Sequence, residues 1–181
     1  MCTIAALTAV PCGDNTPGTK QVGYMVPASE VTAMPDYVGT SAEGDYVRAT
    51  EDFDFSGAAT GKGFWRSFPM LINKNSYSVT AQGGIGSKGW KETFTFVLAG
   101  INAQQLEFVT RMLNIPGLFL CTDKVGKVHV IGRKDDPAYV ETVEGTTGDG
   151  PESERIITVT VSGNTARPMI YEGAIDVTPN S

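Results

Sequence analysis

WKETFTFVLAGINAQQLEFVTRMLNIPGLFLCTDKVGKVHVIG, residues 90–132, changes its apolar period twice. Phe94, Phe96 and Leu98 alternate with Thr93, Thr95 and Val97. This is the period-two signature of a strand with one strongly apolar face. Gly100 ends it, and Asn102 is placed to cap a helix over about residues 102–114. Leu106, Val109 and Leu113 fall on one helical face at i, i+3 and i+7, broadened by Phe108 and Met112. Glu107 and Arg111 form an i,i+4 pair in the favourable order, and Pro116-Gly117 stops the helix. A helix this short is marginal alone and must pack on a sheet. Leu118–Thr122 and Lys127–Ile131 then read as two strands joined by a turn at Asp123–Gly126.

Working outward, the β signal continues on both sides. Tyr77, Val79 and Ala81 alternate with Ser76, Ser78 and Thr80, predicting a half-buried strand that pairs with the Phe94 strand across the glycine loop Gly83–Gly89. Phe64 to Ile72 is apolar but interrupted by Pro69, and Asn73–Asn75 is a turn. Toward the C-terminus, Tyr139–Val143 and Ile156–Val161 read as strands, Gly163-Asn164 as a turn, and Met169–Tyr171 as an edge strand after Pro168. Between them EGTTGDGPESE, residues 144–154, has no apolar side chain and reads as an exposed loop. Toward the N-terminus, Val22–Val26 reads as a strand, Ser29–Ala33 as a short helical turn, and Tyr46–Phe55 as an imperfect alternation anchored by Tyr46, Phe53 and Phe55. Small, glycine-rich residues 56–63 form a flexible connection, residues 1–20 an N-terminal arm, and the tail after Asp176 is loose. The expectation is one mainly β domain over residues 1–181: a β-sandwich or partly closed barrel flanked by a single helix.

Composition narrows the function. The chain has 21 Gly and 10 Pro, which suits many short strands and turns, and its 41% hydrophobic content is that of a folded protein. Net charge is −6, from 20 acidic residues against 14 Lys plus Arg. A protein that grips nucleic acid by its phosphates carries a basic excess or stripe, and none is visible. Cys2, Cys12 and Cys121 make no disulfide framework and, with His129 the only histidine, no four-ligand zinc set. Reduced thiols and folding in a cytoplasm follow. The apolar run Ile4–Val10 lacks the basic residue that precedes a signal core, and no run approaches the ~18 residues of a membrane span.

Each candidate for chemistry has a plainer reading beside it. GGIGSKG at Gly83–Gly89 has the order Ser87-Lys88-Gly89 and leads into a strand, so it fails as a phosphate loop and reads as a hairpin tip. Asp135 and Asp136 are adjacent at a strand end with no His partner, a solvated turn before Pro137. His129 is flanked by Val128 and Val130 facing the other way and reads as structural. Phe64 and Trp65, beside a glycine-rich segment, are either an exposed anchor or core. With Trp90 they are the one possible stacking platform for a carbohydrate. The acidic loop is either a solvated connection or a partner contact. No catalytic, cofactor or metal residue is assigned, and the chain reads as a non-enzyme.

The order of elements resembles that of phage major tail tube proteins, and through them the tube proteins of contractile injection systems. The resemblance rests on NSYSVTAQGGIGSKGWKETFTFVLAG, the helix in NAQQLEFVTRMLNIPG, GLFLCTDKVGKVHVIGRKDDP, and the closing RIITVTVSGNTARPMIYEG after a glycine- and acid-rich loop. It implies a virion structural protein, made in the bacterial host cytoplasm, that assembles with itself into stacked, hexameric rings. The hollow bore would let DNA pass without specific binding. Partners would be other copies and tail proteins such as a tape measure, terminator or sheath, with no cofactor. On that reading Phe64, Trp65, Gly83, Gly84, Gly86, Lys88, Glu144, Asp149 and Glu152 are candidate contacts between subunits, and Glu51, Asp52 and Asp54 are candidate lumen acids. The alternatives are a capsid decoration or head–tail joining protein, and a carbohydrate-binding β-sandwich module.

Overall fold

The computed structural model describes residues 17–39, 42–56, 64–150 and 152–177. Among these described residues three sheets and one α-helix make up the architecture. The largest sheet holds β1 (Thr19–Pro27), β3 (Arg48–Ala49), β5 (Arg66–Pro69), β8 (Gly117–Asp123), β9 (Val128–Ile131) and β12 (Met169–Tyr171), in the order β3-β12-β9-β8-β1-β5. A second sheet holds β6 (Ser76–Gln82), β7 (Gly89–Ala99), β10 (Tyr139–Thr146) and β11 (Ile156–Thr165), in the order β10-β11-β7-β6 with every pair antiparallel. The short β2 (Val31–Ala33) and β4 (Asp54–Phe55) pair with each other. None of these sheets closes into a barrel, and the architecture is the mainly β one with a single α-helix that the sequence leads one to expect.

Why the layers stack this way is legible in β8. Its sequence GLFLCTD is a near-continuous apolar run, the pattern of a strand covered on both faces. Phe119 and Cys121 point into one apolar cluster with Phe94, Phe96, Leu98, Val159 and Val161 of the four-stranded sheet. Leu118 and Leu120 point the other way, into a second cluster with Val26, Phe53, Trp65, Met169 and Tyr171. The six-stranded sheet is therefore the middle layer. On its far side, segments from 28–55 and the C-terminal residues complete the second core. Phe53 meets Trp65 edge-on at 5.1 Å and Tyr171 at 5.0 Å. Arg167 lies over Tyr37 and Tyr46, at 3.6 and 4.4 Å from the ring centroids. Tyr46 thus serves as a cation–π partner at the surface, 56% exposed, and not as the apolar anchor its alternation suggested.

The helix α1 (Ala103–Met112) forms where expected. The Asn102 side chain accepts from the Gln104 and Gln105 N–H groups at 3.0 and 3.1 Å, and Arg111 donates to Glu107 at 2.6 Å. Its buried face is narrower than the one predicted: Val109 and Met112 are enclosed and Phe108 packs against the first cluster, as expected, whereas Leu106 and Leu113 are 48% and 46% exposed. The two leucines shared a stripe with Val109, but packing chose the neighbouring stripe that carries the larger Phe and Met. Ser29–Ala33 is helical only over its first part, as a 3-10 turn at Ala28–Glu30 before β2.

Four other expectations change. Glu144–Thr146 belongs to β10, so the acidic loop begins later and is the tip of a long β10–β11 hairpin. Gly163-Asn164 is no turn; both stay in β11, paired with Glu92 and Lys91. Gly163 is needed there because a Cβ would sit 3.1 Å from the Gly132 backbone nitrogen of the facing sheet, and Gly132 itself has φ +85°. The strand β12 is not at an edge, since Arg48–Ala49 pairs with it in parallel. Finally, in β6 only Tyr77 of the predicted apolar face is half-buried; Val79 and Ala81 are exposed. The flexible connection predicted at 56–63 and the N-terminal arm fall almost wholly outside the described residues.

Candidate functional site

One face of the four-stranded sheet packs on the core; the other carries mainly hydroxyls, with Tyr139 in the row of Ser162 and with Val97, which is buried, Ala99 and Ile156 toward the end of β7. Register places Ser76, Thr95, Thr160 and Thr142 in one row across all four strands, and Ser78, Thr93 and Ser162 in the next. Thr95 and Thr160 hydroxyls are 3.2 Å apart. Period two puts Phe94, Phe96, Val159 and Val161 on the opposite, buried face. The outer face has few charges: Lys91 is paired with Glu141 at 3.0 Å, and Glu144 stands in the row of Thr158. This surface is wettable, almost neutral and poor in features that a ligand could grip.

Both borders of that sheet are open among the described residues. No strand pairs with the outer side of β6 or of β10, which lie at opposite ends of the order β10-β11-β7-β6. Strand direction alternates across the four, so β6 of one copy beside β10 of another continues the antiparallel pattern. Unpaired borders of seven and eight residues are templates for pairing with another chain. The two hairpin tips project from opposite ends. Residues 83–88 join β6 to the start of β7. Arg155, at the foot of the β10–β11 tip, lies beside the end of β7, where the Gly100 N–H donates to its carbonyl at 2.8 Å.

Between the sheets sits one polar trio. The Glu92 side chain has no exposed surface. Its partners stand at the long end of hydrogen-bond range: Tyr77 Oη at 3.5 Å, the Gly132 N–H at 3.4 Å and Arg133 Nη2 at 3.6 Å. Burial pushes the carboxyl up to about 7, against the opposing pull of Arg133. Burial likewise pushes the Tyr77 phenol and the Cys121 thiol up. A carboxyl near neutrality is often catalytic, but this one meets no solvent that could carry a substrate to it. Its geometry pins β6 and β7 to the Gly132 turn of the facing sheet. His129 stacks on Tyr77 with centroids 4.4 Å apart, and its Nε2 lies 3.2 Å from Asp123 Oδ2. The sequence placed His129 as structural but showed neither the Tyr77 stack nor Glu92. The only available signal for Glu92 was an acidic residue in phase with Phe94 and Phe96.

The other sequence candidates scatter. Trp65 is fully buried in the second cluster, so it is neither a surface anchor nor part of a carbohydrate platform. Phe64 is half-buried with the Arg66 guanidinium 5.5 Å over its ring, and Trp90 is 38% exposed at the start of β7. Gly83, Gly84, Gly86 and Lys88 come together at one hairpin tip, and Gly83 and Gly86 have φ of +106° and +86°. Asp149 and Glu152 are exposed on the other tip, the first accepting from Ser153 Oγ at 2.9 Å. Glu51, Asp52 and Asp54 lie beside the second cluster, across the middle layer from the hydroxyl face. Asp52 is occupied there, accepting from the Ala174 N–H at 2.7 Å and from Tyr171 Oη at 3.4 Å. Asp135 and Asp136 sit in the turn after β9, where the Arg133 N–H donates to the Asp136 carbonyl at 2.9 Å. Among the described residues no three His, Cys, Asp or Glu side chains group as metal ligands, and no helix is long and apolar enough to cross a membrane. Cys2 and Cys12 lie outside the described residues. The chain matches no protein-family model, no curated protein and no solved structure.

Proposed function

We propose that the chain is a self-assembling tube subunit of a phage tail, whose copies join edge to edge into a ring with the hydroxyl face lining the bore. The observation that carries this reading is the four-stranded sheet with two open, directionally compatible borders and one polar face. Pairing β6 with β10 of the next copy is a heterologous contact, and such contacts close into rings when the rotation permits. It also removes the exposed borders that would otherwise drive indiscriminate aggregation. A bore lined mainly by Ser and Thr side chains suits the passage of DNA without adhesion, since its one cation, Lys91, is paired with Glu141 and its few acids make no strongly repelling wall. The lumen acids expected at Glu51, Asp52 and Asp54 have no place in this arrangement, because they belong to the opposite side of the middle layer.

A cysteine pair tests it. Within one copy β6 and β10 are separated by two strands, about 14 Å at the usual strand spacing, beyond disulfide reach. Ser78→Cys with Thr142→Cys, in a chain also carrying Cys2→Ser and Cys12→Ser, should therefore crosslink only between copies. Oxidation of concentrated protein is expected to give a ladder of covalent oligomers on non-reducing gels and rings in electron micrographs. A protein that sediments as a monomer at every concentration, with no ladder from this pair or from pairs shifted by two residues, refutes the reading.

A further inference from the structure

Trp90 is a large ring that neither core takes up. Period two puts it on the core-facing side of β7 with Glu92 and Phe94. Yet it belongs to neither apolar cluster and is 38% exposed. Register explains the exposure: its neighbours across the sheet are the small Ala81 of β6 and Thr165 of β11. The indole therefore stands one step beyond the buried Glu92, at the open end of the two-sheet stack. An open groove of about 570 Å³ lies there, within the usual size of a small-ligand site. Besides Trp90 it is lined by Gln82 of β6, Ser87 and Lys88 of the β6–β7 turn, Asn164 of β11 and Asp136 of the β9–β10 connection. Among the described residues, none of these five side chains has a hydrogen bond or ion pair of its own within the chain. Thr165, by contrast, is only a wall, since its hydroxyl already donates to the Arg167 carbonyl at 2.8 Å.

We infer that this groove binds a neutral carbohydrate, with a sugar ring laid on the Trp90 indole and its hydroxyls held by the surrounding polar groups. The inference needs a single copy of the chain and does not rest on the ring reading. The lining selects the ligand class. An indole face is apolar and electron-rich, and it packs against the C–H face of a pyranose. Gln82 and Asn164 each offer donors and an acceptor, and Ser87 does both through one hydroxyl; Asp136 only accepts and Lys88 only donates. A ligand that matches this mixture must itself donate and accept at many points, as a polyol does. The single cation and single anion cancel, so an anion drawn to Lys88 would also meet Asp136. An apolar side chain of a peptide would cover the indole but leave the polar groups around it without partners.

The test uses the full chain on a printed array of neutral and acidic glycans, followed by fluorescence titration with the neutral glycan bound most strongly. The chain has two tryptophans and Trp65 is fully buried, so a change in emission on adding sugar reports Trp90. At least one neutral glycan is expected to bind and to shift the emission. Trp90→Ala should weaken that binding by about tenfold or more, and Trp90→Phe, which keeps a ring, by less. Gln82→Ala with Asn164→Ala, both at exposed positions, carries the same test should Trp90→Ala not fold. Val125→Ser, at an exposed apolar position on another turn, should bind as the parent does. An array on which no neutral glycan is bound, binding confined to acidic glycans, or binding that the groove variants leave at parental strength overturns the inference. Each of these outcomes leaves the ring reading standing, since that is judged by crosslinking and micrographs.

Discussion

Replacing Glu92 by Gln should make the protein more stable at neutral pH. The carboxyl is enclosed and its folded-state value is raised from 4.5 to about 7, with burial as the cause. A group raised in this way binds its proton more tightly in the folded chain than in the unfolded one. Below about pH 4.5 both states hold the proton and the group costs nothing. As pH rises from there to about 7 the unfolded chain releases its proton first, so stability falls; above about 7 the loss is complete. At about 1.4 kcal/mol per pH unit the whole penalty is about 3 kcal/mol. Tyr77 Oη and the Gly132 N–H use different carboxylate oxygens, so Gln keeps its oxygen for the Gly132 N–H and turns its NH2 to donate to Tyr77 Oη, with no charge to bury. Arg133 loses one partner but still donates to the Val130, Gly132 and Arg167 carbonyls at 3.2, 2.7 and 3.0 Å. The assay is urea unfolding of both proteins between pH 4.5 and 8.5 under conditions that keep them monomeric. The expected result is near-equal stability at the acid end, with the curves separating in favour of Glu92→Gln as pH rises. Parallel curves, or a variant less stable at pH 8 than the parent, would show that Arg133 compensates the carboxylate fully and would refute this account of the trio.

Two further substitutions test the packing. Trp65→Ala should cost about 3–5 kcal/mol of unfolding free energy, because the ring is fully buried and meets Phe53 and Phe55 edge-on at 5.1 and 5.9 Å; a loss under about 1 kcal/mol in urea would place it at the surface after all. Gly132→Ala should lower stability by about 2 kcal/mol or more, measured the same way. A Cβ there lies 2.5 Å from the Ala138 nitrogen and 3.0 Å from the Gly117 carbonyl oxygen at a φ of +85°, and unchanged stability would mean that the chain does not turn this tightly against Ala138 and Gly117.

Sequence reading reached the elements that local chemistry specifies. The Asn102 cap, the Glu107–Arg111 pair and the Pro116-Gly117 stop all belong to the first few neighbours along the chain. So does the glycine turn between β6 and β7. What it missed depends on partners distant in sequence. Leu106 and Leu113 satisfy a helical stripe as well as Phe108 and Met112 do, and only the position of the underlying sheet decides between them. Gly163 looks like a turn until Gly132 is seen pressed against it. Glu92 looks like a solvated strand residue because its alternation partner on the buried side is two positions away, and nothing local says that Arg133 will arrive. Trp65 was open between surface and core for the same reason. Of the contact candidates, the glycine tip and the acidic tip were visible as loops, but their placement at opposite ends of one sheet required the topology.

If copies join edge to edge as proposed, the alternating directions of the four strands have a consequence for how wide the resulting bore can be. A subunit that contributes an even number of antiparallel strands meets its neighbour in correct sense whether six copies complete the circle or some other number does. Hydrogen bonding alone therefore cannot count. Diameter must be fixed by wedge shape: the angle at which one sheet leaves the next, set by side chains along the seam and by the bulk of the outer layers. Mutations that thin or thicken those layers, far from any seam, would be expected to change the number of copies per turn before they abolished joining.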